Sequence, residues 1–386
     1  NNYICHFTCF DRRLTDRVGG FREGFDGSQD HDLMLRLSSA ASAIVHVPKV
    51  LYYWRAHSGS AAMSTDAKDY ASDAGRRAVQ SSLTDSGCLG SVECIEGMKG
   101  FYRIKYELTG TPRISIIIPS SDQTDKLRTC VESILGKSTY PDYEIIIAEN
   151  NSRLPGTFEY YRALEKDHSN IKVIRYEGPF NYAAVNNYCV KEKATGEYVL
   201  LLNNDTEVIT PDWMEEMMMY AQRKDVGAVG AKLYYPDGTI QHAGVVIGLG
   251  GIAGHIFAGV PGDSPGYMGK LGYAQDMSAV TGACMLVKKD IYLEVGGMDT
   301  GYALAFNDVD LCMRIRRAGY LIVWTPFAEL YHYESATRGI DDTPDKKERF
   351  IQECDHFRSI WNKELSDGDP YYNSNLSLSA SDYSMR

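Results

Sequence analysis

A surplus of positive charge is the first thing missing from this 386-residue chain. Forty Lys and Arg stand against 51 Asp and Glu, a formal net charge of −11. Phosphate-backbone binding runs on clustered Lys and Arg, so a nucleic-acid partner is not expected. One local basic pocket for a single diphosphate is still compatible. No stretch reaches the ~18 uninterrupted apolar residues of a membrane helix. The nearest run, 244–260, is broken by further glycines and by His255. No charged-then-apolar leader opens the chain, which starts Asn-Asn; no signal peptide is read. The nine Cys are odd in number, scattered and without a C-x-x-C pair. That pattern predicts reduced thiols in a cytoplasmic protein, not a disulfide frame or Cys-bound zinc. At 44% hydrophobic and 24% charged residues the composition is that of a globular protein. The length predicts two or three domains.

What the chain does have is an internal repeat. Residues 18–36 read VGGFREGFDGSQDHDLMLR and residues 295–314 read VGGMDTGYALAFNDVDLCMR. Both run Val-Gly-Gly, an amide plus Asp, one residue, Asp-Leu, and an Arg four places after the second Asp. Both lead to a predicted short strand ending in Pro, IVHVP at 44–48 and IVWTP at 322–326. The second copy follows about 180 residues of α/β pattern and the first follows only 17. The expected organisation is a truncated back half of one domain at 1–64, a helical connector at 65–112, a complete domain at 113–340, and a C-terminal helix and tail at 341–386.

Residues 113–233 alternate strand and helix patterns. Ile114–Ile118 is an apolar run closed by Pro119, as a buried parallel strand should be. A helical face follows with Leu127, Cys130, Val131, Ile134 and Leu135. Further strands begin at Glu144, Ile171 and Tyr198. Thr210-Pro211-Asp212 reads as an N-cap with Pro at the first helical position, opening a helix to Arg223. Such alternation argues a mostly parallel α/β sheet, whose ligands sit beyond the strands' carboxyl ends. That rule points at 119–122, 148–152 and 203–205.

Three groups there carry chemistry. Asn203-Asn204-Asp205 follows a fully apolar strand and could hold a hard cation and a diphosphate. It could equally be a polar turn. Asp308 and Asp310 fall in the first turn of a helix, as caps favoured by the macrodipole or as a carboxylate base. His332 follows a strand, as a metal ligand or as a satisfied buried imidazole.

The order ISIIIP, EIIIAENNS, FNYAAVNNY, YVLLLNNDTEV, VGG, FNDVDLCMR and LYHYESATRG across 113–340 resembles glycosyltransferase family 2. The resemblance extends to bacterial enzymes of O-antigen and rhamnan-type surface polysaccharide synthesis, which often carry two such domains in tandem. It implies a GT-A fold: Rossmann-like, mostly parallel, with helices on both faces, here preceded by a partial copy of the same domain. By position, Pro119, Asp122 and Glu149 would line the nucleotide, with Asn150, Asn181, Asn186, Asn203 and Asn204 beside it. Asp205 would be the acid of the DxD-type metal motif and His332 the histidine completing that site. Asp308 matches the catalytic base. Gln241, His242, Thr281, Gly282, Ala283 and Asp310 would approach donor sugar or acceptor. The implied cofactor is Mg²⁺ or Mn²⁺. The implied partners are a nucleotide-sugar donor and a saccharide or lipid-linked acceptor, with peripheral contact at the inner face of the cytoplasmic membrane and homo-oligomerisation left open.

Two positions depart from the family pattern. The DxD position reads Asn-Asn-Asp, one carboxylate in place of two, so metal would enter chiefly with the diphosphate. Glu149 stands where Asp is usual. The expected reaction is one inverting displacement, the cation at Asp205 taking up leaving-group charge and Asp308 taking the hydroxyl proton. A non-catalytic nucleotide-sugar-binding module is the competing reading. A nucleotidyltransferase fits less well, because Ser120-Ser121-Asp122-Gln123 after the first strand is no Gly-rich phosphate loop with Lys or Arg.

Overall fold

The structure is a computed structural model that describes residues 2, 4, 7–53, 55, 69–333 and 343–386. The chain divides into two compact units, Asn1–Glu107 and Leu108–Arg386.

The first unit holds α1 (Arg12–Val18), α2 (Gln29–Ala40), α3 (Asp69–Asp85), β1 (Gly90–Cys94) and β2 (Tyr102–Tyr106). The Asp11 carboxylate accepts from Arg13 N–H at 2.8 Å and caps α1. α3 and the antiparallel β1–β2 hairpin close a small core of Val79, Leu83, Val92 and Tyr102, with Leu35 of α2 against it. The helical connector expected over 65–112 therefore holds one helix and then a hairpin. The strand expected at 44–48 does not form: Ile44, Val45 and Val47 are 64%, 83% and 53% exposed. Strands need a partner ladder, and the two described strands of this unit pair only with each other. His57, near the spacing of His332, lies outside the described residues.

The second unit runs β3 (Ile114–Ser120), α4 (Thr124–Lys137), β4 (Tyr143–Glu149), α5 (Pro155–Asp167), β5 (Ile171–Arg175), α6 (Tyr182–Glu192), β6 (Tyr198–Leu202), β7 (Thr206–Val208), α7 (Trp213–Ala221) and β8 (Val226–Tyr234). Then come β9 (Ile240–His242), β10 (Val245–Ile247), β11 (Ala253–His255), β12 (Gln275–Met277), β13 (Cys284–Lys288), α8 (Lys289–Glu294), α9 (Asn307–Arg317), β14 (Leu321–His332) and α10 (Pro344–Asp367). One ten-stranded sheet follows the order β12-β14-β8-β13-β6-β3-β4-β5, with β7 added on β14 and β9 on β8. β3, β4, β5 and β6 are parallel, as are β8 and β14. β13 is antiparallel to both its neighbours, β6 and β8. Ile114, Ile116, Ile117 and Ile118 are wholly buried, which is why this strand is a continuous apolar run instead of an alternating one. The helix expected from Thr210 starts later, at Trp213 with Asp212 as N-cap. Thr210 is spent elsewhere: its hydroxyl donates to Phe327 O and accepts from Glu329 N–H, tying the turn to β14.

The repeat has a physical basis. In the second copy Arg314 donates to the Asp310 carboxylate at 2.8 Å and, through Nη1, to Val295 O and Gly297 O at 2.6 Å each. In the first copy Arg36 donates to Asp32 at 2.6 Å and to Val18 O and Gly20 O at 2.6 Å each. One guanidinium thus binds the Asp four residues earlier and two carbonyls of the Val-Gly-Gly turn. Gly296 and Gly297 take φ of 85° and 71°, and Gly19 and Gly20 take 87° and 64°. That is left-handed backbone, which glycine adopts at little steric cost. The motif is a clamp between a helix end and the next helix.

The clamp generates a prediction. Asp310 is 1% exposed and Trp361 Nε1 also donates to it at 2.9 Å. Asp310→Ala leaves a guanidinium and an indole without their acceptor and should cost about 3–5 kcal/mol in urea unfolding. Asp355→Ala, which breaks only the exposed Arg358 pair, should cost less than ~1 kcal/mol. Equal losses for the two variants would show that the clamp carries no special weight.

Candidate active site

The end of β6 is where three segments meet. Asn203 N–H donates to Ala283 O at 3.0 Å, joining it to the start of β13. Thr206 of β7 lies opposite His332 at the end of β14. The pairing sets Asp205 Oδ1 3.3 Å from His332 Nε2, both residues being buried. Asn203 Nδ2 lies 3.2 Å from the same His332 nitrogen. The amide needs a lone pair on Nε2, while the carboxylate needs a proton there. A cation shared by Nε2 and Oδ1 would take that lone pair in place of the Asn203 amide and neutralise the carboxylate. Their separation is close to the ~3 Å between adjacent ligands of a small octahedral ion. His332 Nδ1 is buried and has no hydrogen-bond partner among the described residues. The donor set therefore fits a divalent cation, with oxygen and imidazole ligands from one acid and one histidine. Among the described residues no group of three or more His, Cys, Asp or Glu converges for a metal. Further ligands would have to come from the diphosphate or from water.

Beside this pair lies Asp308. Its Oδ2 accepts from Gly282 N–H at 2.8 Å and its Oδ1 from Val309 N–H at 2.8 Å. Tyr182 OH donates to Gly282 O at 2.9 Å, so this loop is held from both sides. Burial first, and then the Asp308 charge, push the Tyr182 hydroxyl well above its usual pKa and keep it a donor. The approach to α9 is strained: Phe306, the N-cap, has φ 62°. Glu353 of α10 holds that approach. Its carboxylate accepts from Ala303, Leu304 and Ala305 N–H at 2.8, 2.9 and 3.2 Å. Asp308 of α9 is thus positioned from α10.

The remaining expected residues divide into two groups. Pro119 ends β3 next to Ser120, whose hydroxyl lies 3.4 Å from Asn204 Nδ2, so the β3 and β6 ends adjoin. Asp122, at φ 48°, accepts from Arg153 N–H, Leu154 N–H and the Thr157 hydroxyl. Desolvation opposes ionisation there, but the backbone donors of Leu154 and Arg153, then Thr157, hold the carboxyl below its ordinary pKa. Glu149 accepts from Ser152 N–H at 2.7 Å and lies 3.7 Å from Arg175 Nε. Asn150 donates to Tyr176 O and Gly178 O, while its Oδ1 is buried without a donor among the described residues. Asn186 is fully buried; it donates to Tyr182 O and its Oδ1 likewise lacks a donor among the described residues. Thr281 N–H donates to His242 Nε2, and Gln241 O lies 3.0 Å from His255 Nδ1.

Two expected residues have other work. Asn181 caps α6, accepting from Ala184 N–H and donating to Thr300 O. Asp310, expected near the sugars, is enclosed by Arg314 and Trp361 and does not line an open site. Glu353, Tyr182, His255 and Ser120 belong to the site and were not among the expected residues. A buried Glu two turns before a Trp on an amphipathic helix was the available hint for Glu353.

The fold is that of the GT-A glycosyltransferases. A crystal structure of GalNAc-T7 with UDP, GalNAc and Mn2+ superimposes with TM-score 0.51 at 14% identity, covering 72% of this chain and 53% of that one. The family description "Glycosyl transferase family 2" matches residues 115–296, so the chain carries a domain of that family. The O-antigen biosynthesis protein RfbC of Myxococcus xanthus is 40% identical over 391 residues, covering 100% of this chain and 30% of RfbC. Rhamnosyltransferase WbbL of Escherichia coli (strain K12) is 24% identical over 230 residues, covering 57% of this chain and 83% of WbbL. The chain spans less than half the length of the curated relatives it matches from end to end. No helix among the described residues is long and apolar enough to cross a membrane.

His242 supplies a pH prediction. It is fully buried, and burial first, then His255 and His332, push its pKa well below the ordinary 6.5. The folded state keeps it neutral while the unfolded chain protonates near 6.5. Its share of stability is therefore complete above that pH and is lost as pH falls below it, by up to ~1.4 kcal/mol per pH unit. His242→Gln should flatten the decline in urea-unfolding free energy between pH 6.5 and 5. Parallel declines in the two proteins would contradict a buried neutral His242.

Proposed function

We propose that this chain is an inverting glycosyltransferase that moves a sugar, a deoxyhexose such as rhamnose being the first choice, from a nucleoside diphosphate to a saccharide or lipid-linked saccharide in bacterial surface-polysaccharide synthesis. The observation that carries it is the meeting of Asp205 and His332 at the end of β6 with the 281–283 loop, whose Gly282 N–H donates to Asp308 of α9. The names of RfbC and WbbL support the pathway and the sugar class. The Mn²⁺ and UDP in the GalNAc-T7 crystal structure support a metal-assisted nucleotide site by analogy of fold. Asn150, Glu149 and Asp122, at the ends of β3 and β4, are the proposed nucleotide side, and the 281–283 loop with His242 the sugar side.

The chemistry is one displacement. The acceptor oxygen bonds to the anomeric carbon as the bond to the diphosphate oxygen breaks, and the hydroxyl proton passes to an Asp308 oxygen. Asp205 and His332 would hold Mg²⁺ or Mn²⁺, which would neutralise charge on the departing diphosphate. Gly282 and Val309 N–H orient the Asp308 carboxylate. A carboxylate suffices as the base when the proton leaves late, after the sugar–phosphate bond has largely broken. Tyr182 and Glu353 keep that carboxylate in place.

The test is a transfer assay over nucleotide-sugars, with product configuration read by NMR. An inverted anomeric centre is expected. Asp308→Asn keeps the size and one of the two N–H contacts but removes the base, and should lower turnover ~10²–10⁴-fold with the fold retained. Near-native turnover by that variant would make Asp308 a helix cap. Donor binding with no transfer to any acceptor would favour the non-catalytic module.

A further inference from the structure

The reverse side of β14 carries a second feature. Residues alternate along a strand, so Glu329 and Tyr331 face away from Leu330 and His332. They line an open cleft of 590 Å³ with Tyr234, Asp237, Gly262 and Asp263. Tyr234 and Tyr331 rings lie 6.2 Å apart, and Tyr331 and Tyr333 rings 6.2 Å apart at 30°. The three half-buried rings make a row along the sheet. Their hydroxyls are fixed at two ends: Tyr234 OH donates to Glu329, and Tyr333 OH to Glu207 at 2.7 Å. Lys232, in register with Glu329 on β8, is 6% exposed and holds its ammonium 5.0 Å from the Tyr234 ring centroid. Tyr333 N–H donates to Asp205 O at 2.9 Å, so the row ends one residue from the metal pair.

We propose that this cleft is a saccharide-binding subsite that holds the distal part of the acceptor chain while its end reaches the transfer site. The C–H faces of pyranose rings pack on aromatic faces, whose π clouds are electron-rich. Sugar hydroxyls both donate and accept, and the cleft offers both: the remaining lone pairs of the Asp237, Asp263 and Glu329 carboxylates as acceptors and the Tyr331 hydroxyl as donor. A cationic peptide would fit less well. Glu329 already accepts from Tyr234, Glu207 pairs with Lys137 at 3.3 Å, and Asp237 accepts from Thr239. The buried Lys232 ammonium would also repel a cation. Aromatic walls with a few fixed polar groups are the usual make-up of a small-ligand cleft.

The description of this ligand as acceptor rests on the proposed transferase reading; the saccharide site itself does not. The test therefore uses the full chain with no donor and no metal. Native gels containing rhamnose-based O-polysaccharide, mannan or dextran should retard the wild-type protein in at least one case. Tyr331→Ala should weaken that retardation about tenfold, and Tyr331→Phe, which keeps the ring, should retain it. Tyr333→Ala lies beyond the strand end and serves if Tyr331→Ala does not fold. Retardation that survives both alanine variants, or no retardation by any of the three polymers, overturns the proposal. So does salt-sensitive capture of a Lys-rich heptapeptide that competes with none of the polymers.

Discussion

The pairing around the end of β6 is the constraint on which the site depends. β13 runs antiparallel to β6, so its first residue, Cys284, lies opposite the last residue of β6, Leu202. That reversal delivers the 281–283 loop to the segment 203–205. β14 runs parallel to β8 and continues past it to reach β7, which delivers His332. An all-parallel order would send the start of β13 to the far edge of the sheet. The metal pair and Asp308 would then lie apart.

The polar residues gathered there are held by non-local bonds. Asp308 is fixed by Gly282, and the strained turn before it is fixed by Glu353, 45 residues further on. Buried polar networks of this kind rigidify a site when every member is satisfied. The unsatisfied atoms here are informative in turn. Asn150 Oδ1, Asn186 Oδ1 and His332 Nδ1 are buried without hydrogen-bond partners among the described residues. Native proteins leave few such atoms, and a bound group is one reason to leave them. All three belong to the segments from which the site is assembled.

Much of the core sheet was legible because parallel, doubly covered strands must be apolar throughout. ISIII, EIII and YVLLL announce themselves, and the rule of ligands at carboxyl ends then finds 119–122, 148–152 and 203–205. The direction of β13 was not legible, since CMLVK pairs equally well either way. Nor was the fate of IVHVP at 44–48, whose strand propensity has no described ladder to join. The repeat was visible as a pattern, yet its meaning was divided: Asp308 faces the site while Asp310 belongs to the clamp with Arg314 and Trp361. Spacing alone shows two acids on one helical turn; only their partners set the two apart. Glu353 and Tyr182 escaped because their roles lie in contacts 48 to 100 residues away in sequence.

The central claim is that Asp205 and His332 form the cation end of a diphosphate site, separate from the base Asp308. Calorimetric titration with uridine, thymidine and guanosine diphosphates, with and without Mn²⁺, tests it most directly. Binding of at least one diphosphate should require Mn²⁺, weaken at least tenfold in Asp205→Ala, and persist in Asp308→Asn. No binding of any of the three with metal present, or binding indifferent to both Mn²⁺ and Asp205, would contradict it.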